Sequence, residues 1–531
     1  MTAQNAAPST HPAATSSATS SVASQDPAAR PNILVVMYDQ IAAAALPCYG
    51  NRVAITPNID RLAAGGVVFD AAYSNSPLCT PARYCLMTGQ LPSQTGGFDN
   101  AAYLPSTVPT VAHYLRHAGY RTVLSGKMHF VGPDQLHGFE ERRTTDIYPA
   151  DFGWTPDWAK PDERIDWWYH NMGSVTGAGV AEVTNQLLYD DEVGQGAVRA
   201  LHDAARADDG RPFFMVASFT HPHDPYVTRR KYWDMYEGVD VGGPRVPVEA
   251  DPHPHTRRLM HVSDMANANI TPADAQRARR AYYGNISYVD EWTGRLMDTL
   301  DALQLRDNTV VLLVADHGDL LGEHGLWYKM NFFEDAARIP LVFHYPARFA
   351  PVRVAQPVSL VDVLPTLGAI AGAAPAVQPL AGRSLLGLLE KASADVPDKD
   401  TPVYGEYMAE GSVAPIVMVR RGVWKFIHCP ADPDQLFNLA QDPDEVHNLA
   451  HDPAHADTVA AMRAEVAARW NLDALDSAVR SSQRERHFIT QALRQGTFTP
   501  WEYTPPRNGS AEYMRNHLDL NEVERLARWP R

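Results

Sequence analysis

Hydrophobic positions along the chain fall into two patterns. Three short runs are apolar at almost every position, Asn32-Ile-Leu-Val-Val-Met37, Pro212-Phe-Phe-Met-Val-Ala217 and Thr309-Val-Val-Leu-Leu-Val314, and Arg121-Thr-Val-Leu124 reads as a fourth strand. Such continuous runs predict strands buried on both faces, as in a parallel sheet. Helical spacing holds over 109–119, which closes on Gly119, and again over 272–304. Strands alternating with helices predict an α/β fold: a large doubly wound mixed sheet, flanked by helices and joined by right-handed crossovers. Beyond 370 the texture changes. Short strand-like pieces (Val403 to Tyr407, Ile416 to Val419, Val423 to His428) alternate with turns, and helical segments follow near 455–470 and 475–494. A smaller C-terminal α+β subdomain over 371–496 and an extended C-terminal tail over 497–531 are therefore expected.

Residues 1–30 contain 22 Ala, Ser, Thr and Pro. They can bury no core, so a disordered tail is expected before a catalytic domain at 31–370. Over 531 residues, 46 Lys and Arg stand against 62 Asp and Glu, a net charge of −16. That balance disfavours binding to a phosphate backbone, which needs a basic face. No apolar run is long enough to span a bilayer, so no membrane association is expected. The four cysteines, at 48, 79, 85 and 429, form no disulfide framework. With neither a basic n-region nor an apolar h-region at the N-terminus, a cytoplasmic location is expected.

Each of the four strands ends in ionisable residues: Asp39-Gln40, Lys127 with His129, His221 with His223, and Asp316-His317. The carboxyl ends of strands in an open α/β sheet face the ligand crevice, so four such clusters predict one site. It would combine hard metal ligands with cationic anion-binders. A fifth component is Cys79-Thr-Pro81-Ala-Arg83, followed by Thr88-Gly89. Pro81 suits a first helical turn, which puts Cys79 at a helix N-terminus where negative charge is favoured, with Arg83 one turn on. On chemistry alone, this reads as an activated thiol nucleophile beside an anion site.

These residues resemble the signature of the type I sulfatases of the alkaline phosphatase superfamily. Pro31 to Gln40 and Asp316-His317-Gly318 match that family's metal-binding strands. The resemblance is closer to the choline-sulfatase subgroup, through the segments 125–139, 148–156, 166–170, 173–179, 219–226 and 513–517. It covers the chain from 31 onward.

The resemblance implies that Cys79 is oxidised to formylglycine by a formylglycine-generating enzyme. One hydroxyl of the hydrated aldehyde would attack sulfur, and the other would then expel sulfate. Arg83 would hold the alkoxide. Asp39, Asp316, His317 and the residue-79 oxygen would bind one divalent metal, with Gln40 a further weak ligand. Carboxylates suit Ca²⁺, the favoured ion, or Mg²⁺, while His317, where many sulfatases carry Asn, moves preference toward Mn²⁺. Lys127, His129, His223 and Lys329 match the sulfate clamp and acid/base positions, with His223 preferred to His221 as the proton donor.

For the choline end the resemblance picks Asn100, Trp154 and His170, with Glu406 offsetting the ammonium charge. The aromatics Tyr148, Trp158, Trp167 and Trp168 could add a cation–π wall. Asp519 from a neighbouring subunit's tail would close the pocket, implying a homotetramer built as a dimer of dimers. The activity implied is hydrolysis of choline sulfate to choline and sulfate. A phosphonate monoester or phosphodiester hydrolase, and an inactive choline-sulfate binding protein, are the alternatives.

Overall fold

The computed structural model describes residues 30–161, 163–164, 170–391, 400–511, 513 and 517–528. Eight strands form the main sheet: β1 (Asn32–Asp39), β2 (Val67–Phe69), β3 (Arg121–Gly126), β4 (Glu141–Arg142), β5 (Phe213–Pro222), β6 (Thr309–Ala315), β7 (Leu341–His344) and β8 (Val352–Val354). Their order across the sheet is β8-β2-β7-β6-β1-β5-β3-β4. Only β7 runs against its neighbours, so the sheet is mixed, as expected.

Strand β1 is buried at all eight positions, because helices cover both faces of the sheet. Helix α1 (Cys79–Thr88) starts beside the strand ends, and two long helices do much of the covering: α2 (Asn185–Arg206) and α3 (Pro272–Ala302). Thr184 caps α2 by accepting from the Leu187 amide. Thr271 and Asp274 form a capping box on α3, with Pro272 in its first turn.

Register aligns the strand ends. Tyr38 pairs with Ala315 on one side and Phe219 on the other, and a bulge then shifts Asp39 opposite Pro222. Gly126 pairs with Ser218 at φ +113°, and a Cβ there would lie 2.0 Å from the Ser218 carbonyl oxygen. Only glycine lets β3 approach β5 so closely just before Lys127.

The strands β9 (Val403–Tyr407), β10 (Ile416–Arg421), β11 (Trp424–His428) and β12 (Gln435–Asn438) make an antiparallel meander. Helices α4 (Ala456–Arg469) and α5 (Leu472–Leu493) follow it. A core of Met408, Val417, Phe426, Leu436, Val466 and Val479 lies between them, and it also takes in Phe98 and Trp158 from the N-terminal part of the chain. The small sheet therefore shares a core with the large domain. No described helix is long and apolar enough to cross a membrane. The tail beyond 497 carries a helix at Leu520–Ala527 that the sequence reading did not anticipate.

Candidate active site

Cys79 opens the helix Cys79–Thr88, which ends on Gly89 in the left-handed region at φ 66°. The Thr80 amide donates to Asn100 Oδ1 at 3.0 Å, so Asn100 holds the first turn beside Cys79. Around the thiol stand Asp39, Lys127, His129, His223, Asp316, His317 and Lys329, none more than 1% exposed. The structure thus brings together nearly all the ionisable residues that end the four strands.

Arg83 organises the carboxylates. Its Nε donates to Asp316 Oδ2 at 2.9 Å and its Nη2 to Asp39 Oδ2 at 3.2 Å. Lys127 Nζ also pairs with Asp39 Oδ2. With both Oδ2 atoms held from behind, the Oδ1 atoms turn inward: His317 Nε2 lies 3.6 Å from Asp39 Oδ1, 3.7 Å from Asp316 Oδ1 and 3.3 Å from Cys79 Sγ. His317 Nδ1 meets the Gly318 carbonyl at 3.0 Å, which leaves Nε2 unprotonated and aimed at the centre. These four donor atoms lie within 4.8 Å of one another, two oxygens and a nitrogen plus the residue-79 atom. The set fits one divalent cation.

Burial works against the Asp39 anion, yet Lys127, His223, Arg83 and His317 together hold its carboxyl well below the usual carboxylate range. The thiol behaves oppositely. Burial and the neighbouring Asp39 charge push Cys79 up to about 11. The expectation of an activated thiol is therefore corrected: the helix N-terminus does not compensate for desolvation beside a carboxylate, and Cys79 as such is not ionised near neutral pH.

A second network lies beside the first. Lys329 Nζ donates to Gln40 Oε1 at 2.6 Å and to His223 Nε2 at 2.8 Å. Gln40 Nε2 donates to Asp319 Oδ2 at 2.7 Å and to Asp224 Oδ1 at 3.3 Å. These partners fix the Gln40 amide, so its carbonyl oxygen is already engaged by Lys329. Burial and then Lys329 hold His223 well below its ordinary value, and its Nδ1 lies 2.6 Å from the Asp224 carbonyl. His223 is thus neutral in the resting site, and the ammonium proton of Lys329 is the one poised there. His221 instead pairs with Asp190 at 2.7 Å, away from Lys329. Gln40, His129, Tyr328 and Met330 all have positive φ, so the residues flanking Lys329 and two of the site residues adopt backbone that side chains rarely take.

His129 donates its amide to Asp146 at 2.8 Å, while both ring nitrogens are buried without a hydrogen-bond partner among the described residues. Burial, reinforced by Lys127, lowers it to about 3. Trp154 lies edge-on to His129 at 5.9 Å and 5.3 Å from Tyr148, whose ring sits 4.3 Å from Lys127 Nζ. The His170 ring lies tilted by 36° against His223 at 5.4 Å and against Tyr328 at 4.9 Å. Trp154, Tyr148 and His170 are therefore grouped beside the reaction centre.

Two expectations are corrected. Glu406 is buried with both oxygens occupied: Oε2 by the Ser93 amide at 2.7 Å, Oε1 by Ser93 Oγ at 2.7 Å and Trp470 Nε1 at 2.6 Å. It joins the small sheet to its helices and is not available to an ammonium group. Trp158 likewise belongs to the second core, with its indole N–H donated to the Ala409 carbonyl. Asp519 is exposed and caps the helix Leu520–Ala527 through the Asn521 and Glu522 amides, which leaves its expected place in a neighbouring subunit's pocket a matter for the oligomer. Trp167 and Trp168 lie outside the described residues.

The structure offers instead Glu410, which sequence reasoning missed. It is buried with neither carboxylate oxygen hydrogen-bonded among the described residues. Burial and then the Asp99 charge push it up to about 8, and it senses both Lys329 and Cys79. Its one sequence signal is an isolated acid in the stretch Tyr407-Met-Ala-Glu410-Gly411. Asp319, which orients Gln40, was also missed although it lies two residues past His317.

Comparison with known proteins bears on this geometry. A profile described as sulfatase matches residues 31–373. The chain belongs to the sulfatase family. A second profile, choline sulfatase enzyme C terminal, matches 477–529, and one for the N-sulphoglucosamine sulphohydrolase C-terminal region matches 322–471. The chain is 50% identical to the choline-sulfatase of Rhizobium meliloti over 513 residues, covering 94% of this chain and 99% of that protein. It is 28% identical to human iduronate 2-sulfatase over 390 residues, 68% of this chain and 67% of that one. In fold it resembles the phosphonate monoester hydrolase of Agrobacterium radiobacter, with TM-score 0.67 and 23% identity over 86% of this chain and 96% of that one. Asp39, Cys79, Arg83, Lys127, Asp316 and His317 all fall inside the matched sulfatase region, so the buried centre is this sulfatase's candidate reaction site.

Proposed function

We propose that this sulfatase hydrolyses choline sulfate to choline and sulfate. The observation that carries the reading is a sulfate-ester centre with an aromatic group, Trp154, Tyr148 and His170, beside it, and a buried Glu410 carboxyl close enough to sense Lys329 and Cys79. Such a pairing suits a quaternary ammonium ion, which has no N–H to donate and is recognised by π faces and opposite charge. The 50% identical relative named choline-sulfatase supports the same substrate.

Cys79 is proposed to act as formylglycine, whose hydrate would supply the hydroxyl that attacks sulfur. Asp39, Asp316 and His317, with Gln40 as an outer partner, would hold a divalent cation, Ca²⁺ or Mg²⁺ by the carboxylates and Mn²⁺ by the imidazole. That ion would add positive charge where negative charge develops on oxygen. Lys127 and His129 would grip the sulfate oxygens, and Arg83 fixes the two carboxylates. Lys329, held by His223 and Gln40, would give its proton to the departing choline oxygen. Glu410 replaces Glu406 as the partner of the ammonium group. In an oligomer, Asp519 of another copy would add a second carboxylate.

The test is comparative turnover by metal-loaded, matured enzyme. Choline sulfate should be the better substrate, whereas a higher kcat/KM on an aryl phosphonate ester would make the chain a phosphonate hydrolase. No turnover of either by protein whose residue 79 is fully converted would leave a binding protein.

A further inference from the structure

We propose that Arg486, on the C-terminal helix α5, is a positioning residue that sets selectivity for the cationic end of the substrate, by tying together the segments that present Asn100 and Trp154. The inference rests on the choline-sulfate reading above. Its guanidinium makes a fork-to-fork pair with Asp99, Nη1 to Oδ1 at 2.6 Å and Nη2 to Oδ2 at 2.7 Å. Nη1 also donates to Thr155 Oγ1 at 3.2 Å, and Nε is held by Ser482. The pair is buried, with side-chain exposures of 6% and 0%.

What Arg486 holds is one residue from the site on both sides. Asp99 precedes Asn100, whose Oδ1 receives the Thr80 amide beside Cys79. Thr155 follows Trp154, the ring edge-on to His129. Arg486 does not act alone on its helix. Gln483 accepts from the Trp158 amide at 3.0 Å, Arg480 donates to the Trp158 carbonyl at 3.2 Å, and His487 Nε2 lies 3.1 Å from the Pro156 carbonyl. Positions 480, 483 and 487 share one helical face with 486 close by, so successive turns of α5 run along the 155–158 strip. Arg486 also neutralises Asp99, the charge that Glu410 senses most strongly.

A buried ion pair could equally be structural, since breaking one strands a charge. The experiment must separate the two. Matured full-length enzyme carrying Arg486→Gln, Arg486→Lys or the double change Asp99→Asn/Arg486→Gln is assayed on choline sulfate and on 4-nitrophenyl sulfate, which has no cation, with thermal unfolding alongside. The double variant leaves no unpaired charge and keeps the fold testable. We expect KM for choline sulfate to rise at least tenfold in Arg486→Gln and in the double variant. Meanwhile kcat/KM on 4-nitrophenyl sulfate should stay within threefold, and Lys should restore part of the selectivity. Equal losses on both substrates, or parental KM in the double variant, would overturn the assignment. A parent enzyme that fails on choline sulfate sinks the substrate reading and the positioning role with it, whereas an active parent with unselective variants sinks only the role of Arg486.

Discussion

Replacing Glu410 by Gln tests the cation site most directly, because Gln keeps the volume and removes only the charge. In the empty site burial and Asp99 push the Glu410 carboxyl up to about 8. At pH 7 ionising it therefore costs about 1–2 kcal/mol. A trimethylammonium nitrogen about 4.5 Å from the carboxylate gains about 3.5 kcal/mol at an effective dielectric of 20. The difference, about 2 kcal/mol, corresponds to a roughly 30-fold higher KM for choline sulfate in Glu410→Gln. The pH dependence carries the sign. A carboxyl with a raised folded value is neutral below it, so the advantage of Glu over Gln should shrink to about fourfold at pH 6 and grow to about 300-fold at pH 9. Folding stability runs the other way: the parent loses stability as pH rises from the ordinary glutamate range through about 8, and Gln does not. The assay is KM for choline sulfate and for 4-nitrophenyl sulfate from pH 6 to 9, with unfolding midpoints. A pH-independent ratio, or an equal loss on the cation-free ester, would refute the reasoning.

Other outcomes follow from the same geometry. Trp154→Ala should lower kcat/KM on choline sulfate by about tenfold, near the lower end of a desolvated cation–π contact, and leave an uncharged aryl ester within a few-fold; equal losses would make Trp154 structural. Cys79→Ala should abolish turnover on every sulfate ester while the unfolding midpoint stays close to the parent, and intact-mass analysis of the parent should show residue 79 lighter than a thiol. Chelation should remove activity and lower the unfolding midpoint, because Asp39 Oδ1, Asp316 Oδ1 and His317 Nε2 then face one another unbridged; an unchanged midpoint in a metal-depleted sample would count against that ligand set.

The reaction centre was legible because each part of it sits next to a strong local signal. Asp39, Lys127 and Asp316 directly follow runs of apolar residues that could only be buried strands, and Pro81 marks the first turn of the helix that starts at Cys79. Strands β2, β4 and β8, with two or three residues each, escape periodicity, since a three-residue run carries no period. Helix α2 was missed for a different reason: its stripe is interrupted by Gly194, which lies against Trp292, and by the buried Asp190 that serves His221. The cation end was misassigned because its residues differ from their neighbours in contacts and not in local pattern. Glu406 and Glu410 are four residues apart in similar company, and only the Ser93 and Trp470 hydrogen bonds separate a structural carboxylate from an unpaired one.

The charges explain why such a carboxylate has to be there. Around residue 79, Asp39 and Asp316, with Asp224 and Asp319 of the second network, face Arg83, Lys127 and Lys329, while His129 and His223 are held neutral, so the protein alone is left about one charge negative. A divalent cation would turn this into about one excess positive charge. That suits a sulfate monoester and repels an ammonium ion a few ångströms further on. Asp99 cannot relieve the repulsion, being paired with Arg486. Glu410 can, and its raised value means that it does so by giving up a proton as the cation arrives. The approaching positive charge lowers that value again, so binding of choline at pH 7 should release most of one proton. Calorimetry of choline binding in two buffers of different ionisation enthalpy reads that number directly; Glu410→Gln should release close to none, and equal release from both proteins would mean that the cation is met by some other group.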